Sequence, residues 1–186
     1  MSNETKDPVK NLDPFEVLLD IEHRSKTIGG ASPTQEEMER FWTGVGFKLN
    51  GKRYVTPLDE VSEILIMPHY TKVPGVKPWV KGISNVRGTL LPVMDLNGFL
   101  GFGMKHANKR QRILVVNHDN TVSGIIVDEV LGLQHFEDFE LVNEAIEVDS
   151  PVQSFVSGAF QRNDERWLIF SLYTLAENPA FLQVAI

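Results

Sequence analysis

Cysteine is absent from this chain of 186 residues. That excludes a disulfide framework, a cysteine-ligated zinc centre and a thiol nucleophile. Long apolar runs are missing too. Residues 1–30 hold none, so neither a signal peptide nor a membrane-inserting span is read there. From residue 113 to 161 there is no lysine or arginine at all. What is present is enough apolar material for a proper core, with 42% hydrophobic residues, at a mean hydropathy of -0.14 that suits a water-exposed fold. The expectation is a cytoplasmic globular protein with one domain of roughly 140–150 residues plus an appendage.

The formal net charge of -7 hides an asymmetry along the chain. Between Met67 and Arg112 the bases are Lys72, Lys77, Lys81, Arg87, Lys105, Lys109, Arg110 and Arg112, against Asp95 alone. The cation-free stretch carries Asp119, Asp128, Glu129, Glu137, Asp138, Glu140, Glu144, Glu147 and Asp149. Two readings follow. A basic half and an acidic half suit head-to-tail docking with similar modules, or they are two solvated faces that happen to differ. Scattered bases in a net acidic chain argue against nucleic acid as a partner.

Signs of catalysis are scarce. His23, His69, His106, His118 and His135 show no paired metal-ligand spacing, so no metal site is expected. There is no Gly-x-Ser-x-Gly elbow. Gly101-Phe102-Gly103 lacks the third glycine and the following helix of a dinucleotide fingerprint, and reads as a loop. Asp128 and Glu129 are adjacent, and neighbours in a strand point to opposite faces. No catalytic residue and no cofactor is assigned.

The N-terminal 40 residues read as an extension. Asp13-Pro14-Phe15-Glu16 is a helix start, with an N-cap, proline in the first turn and glutamate three residues on. The spacing predicts a helix over about 14–28, with Phe15, Leu18 and Leu19 on one apolar face. The remainder reads as many short strands with regular turn signals, a mainly β architecture of small barrels or a sandwich. Asn50-Gly51 fits a two-residue hairpin, residues 58–67 a short apolar connection, and residues 81–96 a second hairpin with Arg87-Gly88 at its corner. Arg87 looks buried among apolar neighbours, which calls for a partner or a function.

One stretch is far more specific than these patterns: Pro78-Trp79-Val80-Lys81-Gly82-Ile83-Ser84-Asn85-Val86-Arg87-Gly88-Thr89-Leu90-Leu91-Pro92-Val93-Met94-Asp95-Leu96. It resembles the CheW-like proteins, coupling scaffolds of bacterial chemosensory arrays, and a second match lies at Val122-Ser123-Gly124-Ile125-Ile126-Val127-Asp128-Glu129-Val130. The likeness covers about residues 46–175. The N-terminal helix and the run at residues 68–80 look like the subgroup serving type IV pili and twitching motility.

The resemblance implies two small five-stranded SH3-like β-barrels on a shared core. The domain spans 41–177 in halves of about 41–100 and 108–177, with a short C-terminal helix and a 178–186 tail. It implies a non-catalytic adaptor at membrane-associated receptor arrays. Its partners would be the cytoplasmic tip of methyl-accepting chemoreceptors, the regulatory domain of a histidine kinase, and other CheW-like proteins. Carried over position by position, Val61, Ile64, Gly82, Arg87 and Ile113 would face the receptor, and Leu58 and Glu63 the kinase. A scaffold for a flagellar or other non-pilus pathway stays open, as does a small β-barrel enzyme with an unrecognised carboxylate site. Val61 and Ile64 also read as core residues, and Arg87 as a structural arginine tying loop carbonyls together.

Overall fold

Turn chemistry places the first hairpin. Strands β1 (Phe41–Leu49) and β2 (Lys52–Pro57) are joined by Asn50 and Gly51 at φ 49° and 81°, the left-handed pair that a type I′ turn requires. The computed structural model describes residues 41–103, 108–119, 121–142 and 148–186, so the N-terminal helix expected over 14–28 lies outside the described residues. Beyond the hairpin a 3₁₀ turn (Leu58–Glu60) leads to β3 (Glu63–Ile66), β4 (Val80–Val86), β5 (Thr89–Asp95) and helix α1 (Leu96–Phe99). There follow β6 (Arg112–His118), β7 (Thr121–Val127), β8 (Glu129–Glu137), α2 (Ser150–Gln153), β9 (Val156–Arg162), β10 (Glu165–Phe170), α3 (Leu172–Glu177) and α4 (Pro179–Leu182). The connection expected over 58–67 therefore contains a strand, with Ile64 and Ile66 pointing outward and Glu63 and Leu65 turned in.

The strands form two five-stranded sheets, ordered β8-β1-β2-β10-β9 and β3-β6-β7-β5-β4. Both share one pairing pattern: antiparallel, antiparallel, parallel, antiparallel. In the second sheet the chain enters at the first position, then takes the fifth, fourth, second and third. In the first sheet β8, β9 and β10 take the first, fifth and fourth positions, while β1 and β2 supply the second and third from the start of the domain. The two sheets are one design, circularly permuted in one copy. This corrects the expected halves of 41–100 and 108–177, because residues 63–127 build one sheet and flanking segments on both sides build the other.

Each sheet contributes to one shared core. Phe47, Leu49, Tyr54 and Phe170 from the first sheet pack with Leu114, Val116, Ile125 and Val127 from the second. On the other face of the second sheet, Leu91, Val93, Ile113, Val115 and Ile126 form a separate cluster. On the first, Val55, Phe136, Phe160 and Trp167 do the same, with the Phe136 and Phe160 rings stacked at 4.3 Å. Strands buried on both faces lose the hydrophobic–polar alternation, which is why residues 113–116 are apolar without a break. The 178–186 segment is not a loose tail. Phe181 is fully buried, and Ile186 N–H donates to the Gly75 carbonyl at 3.1 Å.

Glu60 closes the connection between the sheets. It is 7% exposed, and its carboxylate accepts from Thr56 Oγ1 (3.1 Å), Ser171 Oγ (3.0 Å), Tyr173 N–H (3.2 Å) and Leu172 N–H. Glu60→Ala would strand those donors in the interior, at about 3 kcal/mol or more, and should lower the melting temperature by roughly 6–12 °C in thermal denaturation. A second expectation concerns acid. The Arg162 guanidinium, hydrogen-bonded to Glu140 at 2.7 Å, holds that carboxyl below its usual range. A depressed folded value contributes stability that is complete above the unfolded value of about 4.3 and lost as pH falls through the folded one. Glu140→Gln should therefore be less stable than wild type at pH 7 and lose less on acidification, as read from denaturant midpoints across pH.

Candidate functional site

A groove of about 250 Å³ opens where β3 approaches the β4–β5 hairpin, with Glu63, Leu65, Val86, Arg87, Leu91 and Val115 among its walls. Its floor is continuous with the second sheet's own cluster, since Leu91 and Val115 belong to both. The hairpin turn places Arg87 and Gly88 at φ 51° and 87°. Gly88 N–H is held by Asn85 Oδ1 at 2.9 Å. Arg87 thus leaves the sheet at a tight corner and reaches Glu63 of β3, Nη2 to Oε1 at 2.9 Å.

This corrects the sequence reading of Arg87. Its side chain is 78% exposed, and it is not a lone cation. An exposed pair of this kind contributes about 0–1 kcal/mol. Its consequence is positional: it fixes one positive and one negative group across the groove mouth.

The predicted site residues divide sharply. Leu58 and Ile64 are 46% and 43% exposed, available to a partner. Val61 is partly buried against the shared core. Ile113 is fully buried on β6 between β3 and β7, where it packs with the groove's Leu91 and Val115. Gly82 is buried as well, at φ 148°, and a Cβ there would lie 2.1 Å from the Thr71 carbonyl oxygen. Its role is to let the 68–79 loop close on β4 through paired Thr71–Ile83 backbone bonds of 2.8 and 2.9 Å. Sequence reasoning missed Ile66 and Leu90, which are 76% and 68% exposed. For Ile66 the strand alternation from Glu63 was the available signal. For Leu90 there was none, because the run around it is apolar on both faces.

Charge on the surface differs from charge along the chain. Within the cation-free stretch, Glu129 pairs with Lys48 at 3.1 Å, Asp149 with Lys52 at 2.7 Å and Glu140 with Arg162 at 2.7 Å. The Lys48 hydrogen bond lowers the Glu129 carboxyl below its ordinary value. Asp128 accepts from Asn50 N–H and Asn97 Nδ2, both at 2.8 Å, locking the first hairpin turn to α1. The fold also gathers what the sequence kept apart. His118 Nε2 lies 2.7 Å from Glu177 Oε1 and 3.8 Å from Asp119, and its ring stacks on Tyr173 at 4.1 Å. These contacts fasten α3 to the β6–β7 turn. No helix among the described residues is long and apolar enough to cross a membrane.

Comparison with known proteins bears on this geometry. The family model of the CheW-like domain matches residues 43–179. The chain is 44% identical to Protein PilI of Pseudomonas aeruginosa over 93% of its own length and 97% of that protein. It is 31% identical to the chemotaxis protein CheW of Helicobacter pylori over 61% of the chain and 68% of that protein. Among solved structures, the scaffolding protein TtCheW from Thermoanaerobacter tengcongensis superposes with a TM-score of 0.63 at 27% identity, covering 74% of this chain and 94% of that one.

Two substitutions separate surface from scaffold. Arg87→Ala removes an exposed pair and should change unfolding free energy by less than about 1 kcal/mol. Gly82→Ala forces a side chain against backbone at a conformation that L residues rarely adopt, and should lose roughly 2–3 kcal/mol. Urea denaturation of the two proteins side by side checks both. Equal losses would overturn the division.

Proposed function

The chain belongs to the CheW-like family, and on that premise we propose that it is a non-catalytic adaptor coupling chemoreceptors to a histidine kinase in the array that controls type IV pilus twitching motility. The observation that carries the reading is the groove on the second sheet. It combines an apolar floor, a polar rim made by the Arg87–Glu63 pair, and outward apolar side chains on the adjoining segment at Leu58 and Ile64. An apolar centre inside a charged rim is how reversible protein contacts are built. The pilus assignment is supported by the likeness to Protein PilI. That match leaves at most 13 residues of this chain outside it, so most of the N-terminal 40 lies within it.

The family resemblance assigns Arg87 to the receptor and Glu63 to the kinase regulatory domain, yet the two side chains are hydrogen-bonded to each other. A partner that engages one must alter the other, so the two binding events are linked in free energy rather than independent. In this reading Leu58, Ile64, Glu63 and Arg87 meet partners, while Ile113 packs with the groove's Leu91 and Val115, Val61 packs on the shared core and Gly82 holds the 68–79 loop against β4.

The test is titration calorimetry of the purified chain against a chemoreceptor cytoplasmic tip and against the kinase regulatory domain. Ile64→Asp places a charge on an exposed apolar contact and should weaken binding at least about tenfold with little change in melting temperature. Glu63→Lys should reduce affinity for the kinase domain, most visibly at low salt. Because of the pair, it should also shift receptor affinity. Absence of binding to either partner by the wild-type chain would sink the adaptor reading.

A further inference from the structure

The loop between β3 and β4 forms a second groove, which shares no lining residue with the first. It encloses about 410 Å³, with Tyr70, Val73, Val76, Pro78 and Val80 as its uncharged walls and three lysines, Lys72, Lys77 and Lys81, around them. One of these cations is already committed. Lys81 pairs with the buried carboxylate of Asp95 at 3.2 Å. Lys72 and Lys77 make no ion pair with an acidic residue among the described residues, and Lys77 lies 6.0 Å from the centre of the Trp79 ring.

Three anchors hold the loop in shape. Thr71 and Ile83 exchange both backbone hydrogen bonds, Lys77 N–H donates to the Val184 carbonyl at 2.8 Å, and Val80 N–H donates to the Lys77 carbonyl at 3.0 Å. The first anchor depends on Gly82, beside which Thr71 passes closer than any Cβ would allow. The C-terminal segment adds an antiparallel bridge between Val76 and Ala185. A loop so fastened offers its lysines with little ordering left to do on binding, and that raises the affinity a given set of contacts delivers.

We propose that this groove is a docking site for an acidic, partly apolar peptide segment of another protein. The carboxylates of that segment meet Lys72 and Lys77, and its aliphatic side chains lie on Val73, Val76 and Val80. The apolar floor favours a peptide over a small anion such as phosphate, which would use only the ammonium groups. The chain's own acidic stretch is a poor source, because Glu129, Glu140 and Asp149 are already paired with Lys48, Arg162 and Lys52. The site stands apart from the Arg87–Glu63 groove and does not rest on the adaptor assignment.

The experiment is fluorescence anisotropy on the full chain with a labelled peptide of alternating glutamate and leucine. A lysine–leucine peptide and inorganic phosphate serve as competitors. The glutamate peptide should bind at low salt, and raising ionic strength toward about 0.2 M should weaken it. Lys72→Glu/Lys77→Glu should reduce affinity at least about tenfold while the melting temperature holds. Lys72→Gln/Lys77→Gln, which removes charge without adding repulsion, should give an intermediate loss. Unchanged binding by the double glutamate variant would overturn the proposal. So would displacement by inorganic phosphate at equal charge concentration, which would reveal a simple anion site. Self-association of the chain in sedimentation velocity that the double glutamate variant abolishes would overturn it too, by showing the chain itself to be the occupant.

Discussion

A buried carboxylate ties the crossing between the two sheets to the helix that follows the last strand. Glu60 sits in the 3₁₀ turn where the backbone leaves β2 of the first sheet and heads for β3 of the second. Its acceptors are filled by the hydroxyls of Thr56 and Ser171 and by the first N–H groups of α3. A charge removed from water is expensive unless its hydrogen-bonding capacity is met. Here it is met from both sides of the sequence, by the strand before the turn and by the helix that follows the last strand. The positive end of a helix adds to the same balance. Tyr173 reinforces the joint by donating to the Asp59 carbonyl at 2.7 Å. Everything that positions the Arg87–Glu63 groove follows from that crossing, because β3 begins three residues after Glu60.

The circular permutation explains why such a joint is needed. The hairpin β1–β2 belongs to a unit whose other three strands arrive more than seventy residues later. Chain connectivity alone leaves it free to part from them. Long-range pairing of β1 with β8, and the parallel pairing of β2 with β10, must therefore be secured by side chains. Lys48–Glu129, Arg53–Glu165 and Lys52–Asp149 all join this early hairpin to the late segments. Exposed pairs contribute little individually, but these flank the hairpin on both its β8 and its β10 side and agree with the packing of Phe47 and Tyr54 against Phe170. Each unit also repeats a local device at the end of its fourth-position strand. Asp95 caps α1 and Ser171 caps α3, each accepting the N–H three residues on.

How much of this the sequence disclosed depends on the range of the physics involved. Hairpin turns were legible, since Asn50-Gly51 and Arg87-Gly88 meet a local steric demand that two residues express by themselves. Mainly β architecture and the family resemblance were legible for the same reason. Glu60 was not, because its burial depends on Ser171 and Leu172, more than a hundred residues away. The burial of Ile113 was not legible either, because a strand buried on both faces gives no alternation to show which side is solvent. The expected halves failed because a permuted unit has no boundary at the middle of the chain. For Gly82 only the approach of Thr71 reveals the reason for glycine.

Charge patterning carries the sharpest lesson. Along the chain, a basic segment precedes an acidic one, which invites a picture of two opposed faces. In space, the acidic segment folds against Lys48, Lys52 and Arg162, and three of its carboxylates are consumed internally. Among the described residues the basic segment is not fully neutralised in return. Asp95 and Glu63 take Lys81 and Arg87, while Lys72 and Lys77 remain at the rim of an apolar groove. Permutation is the cause, because the early hairpin brings its cations to the late acidic strands and leaves the intervening sheet with its own excess. A linear reading assigns complementarity to the wrong pair of surfaces. The sheet that carries the unneutralised lysines also carries the Arg87–Glu63 groove, so both surfaces argued to meet other proteins belong to the second sheet and its long loop.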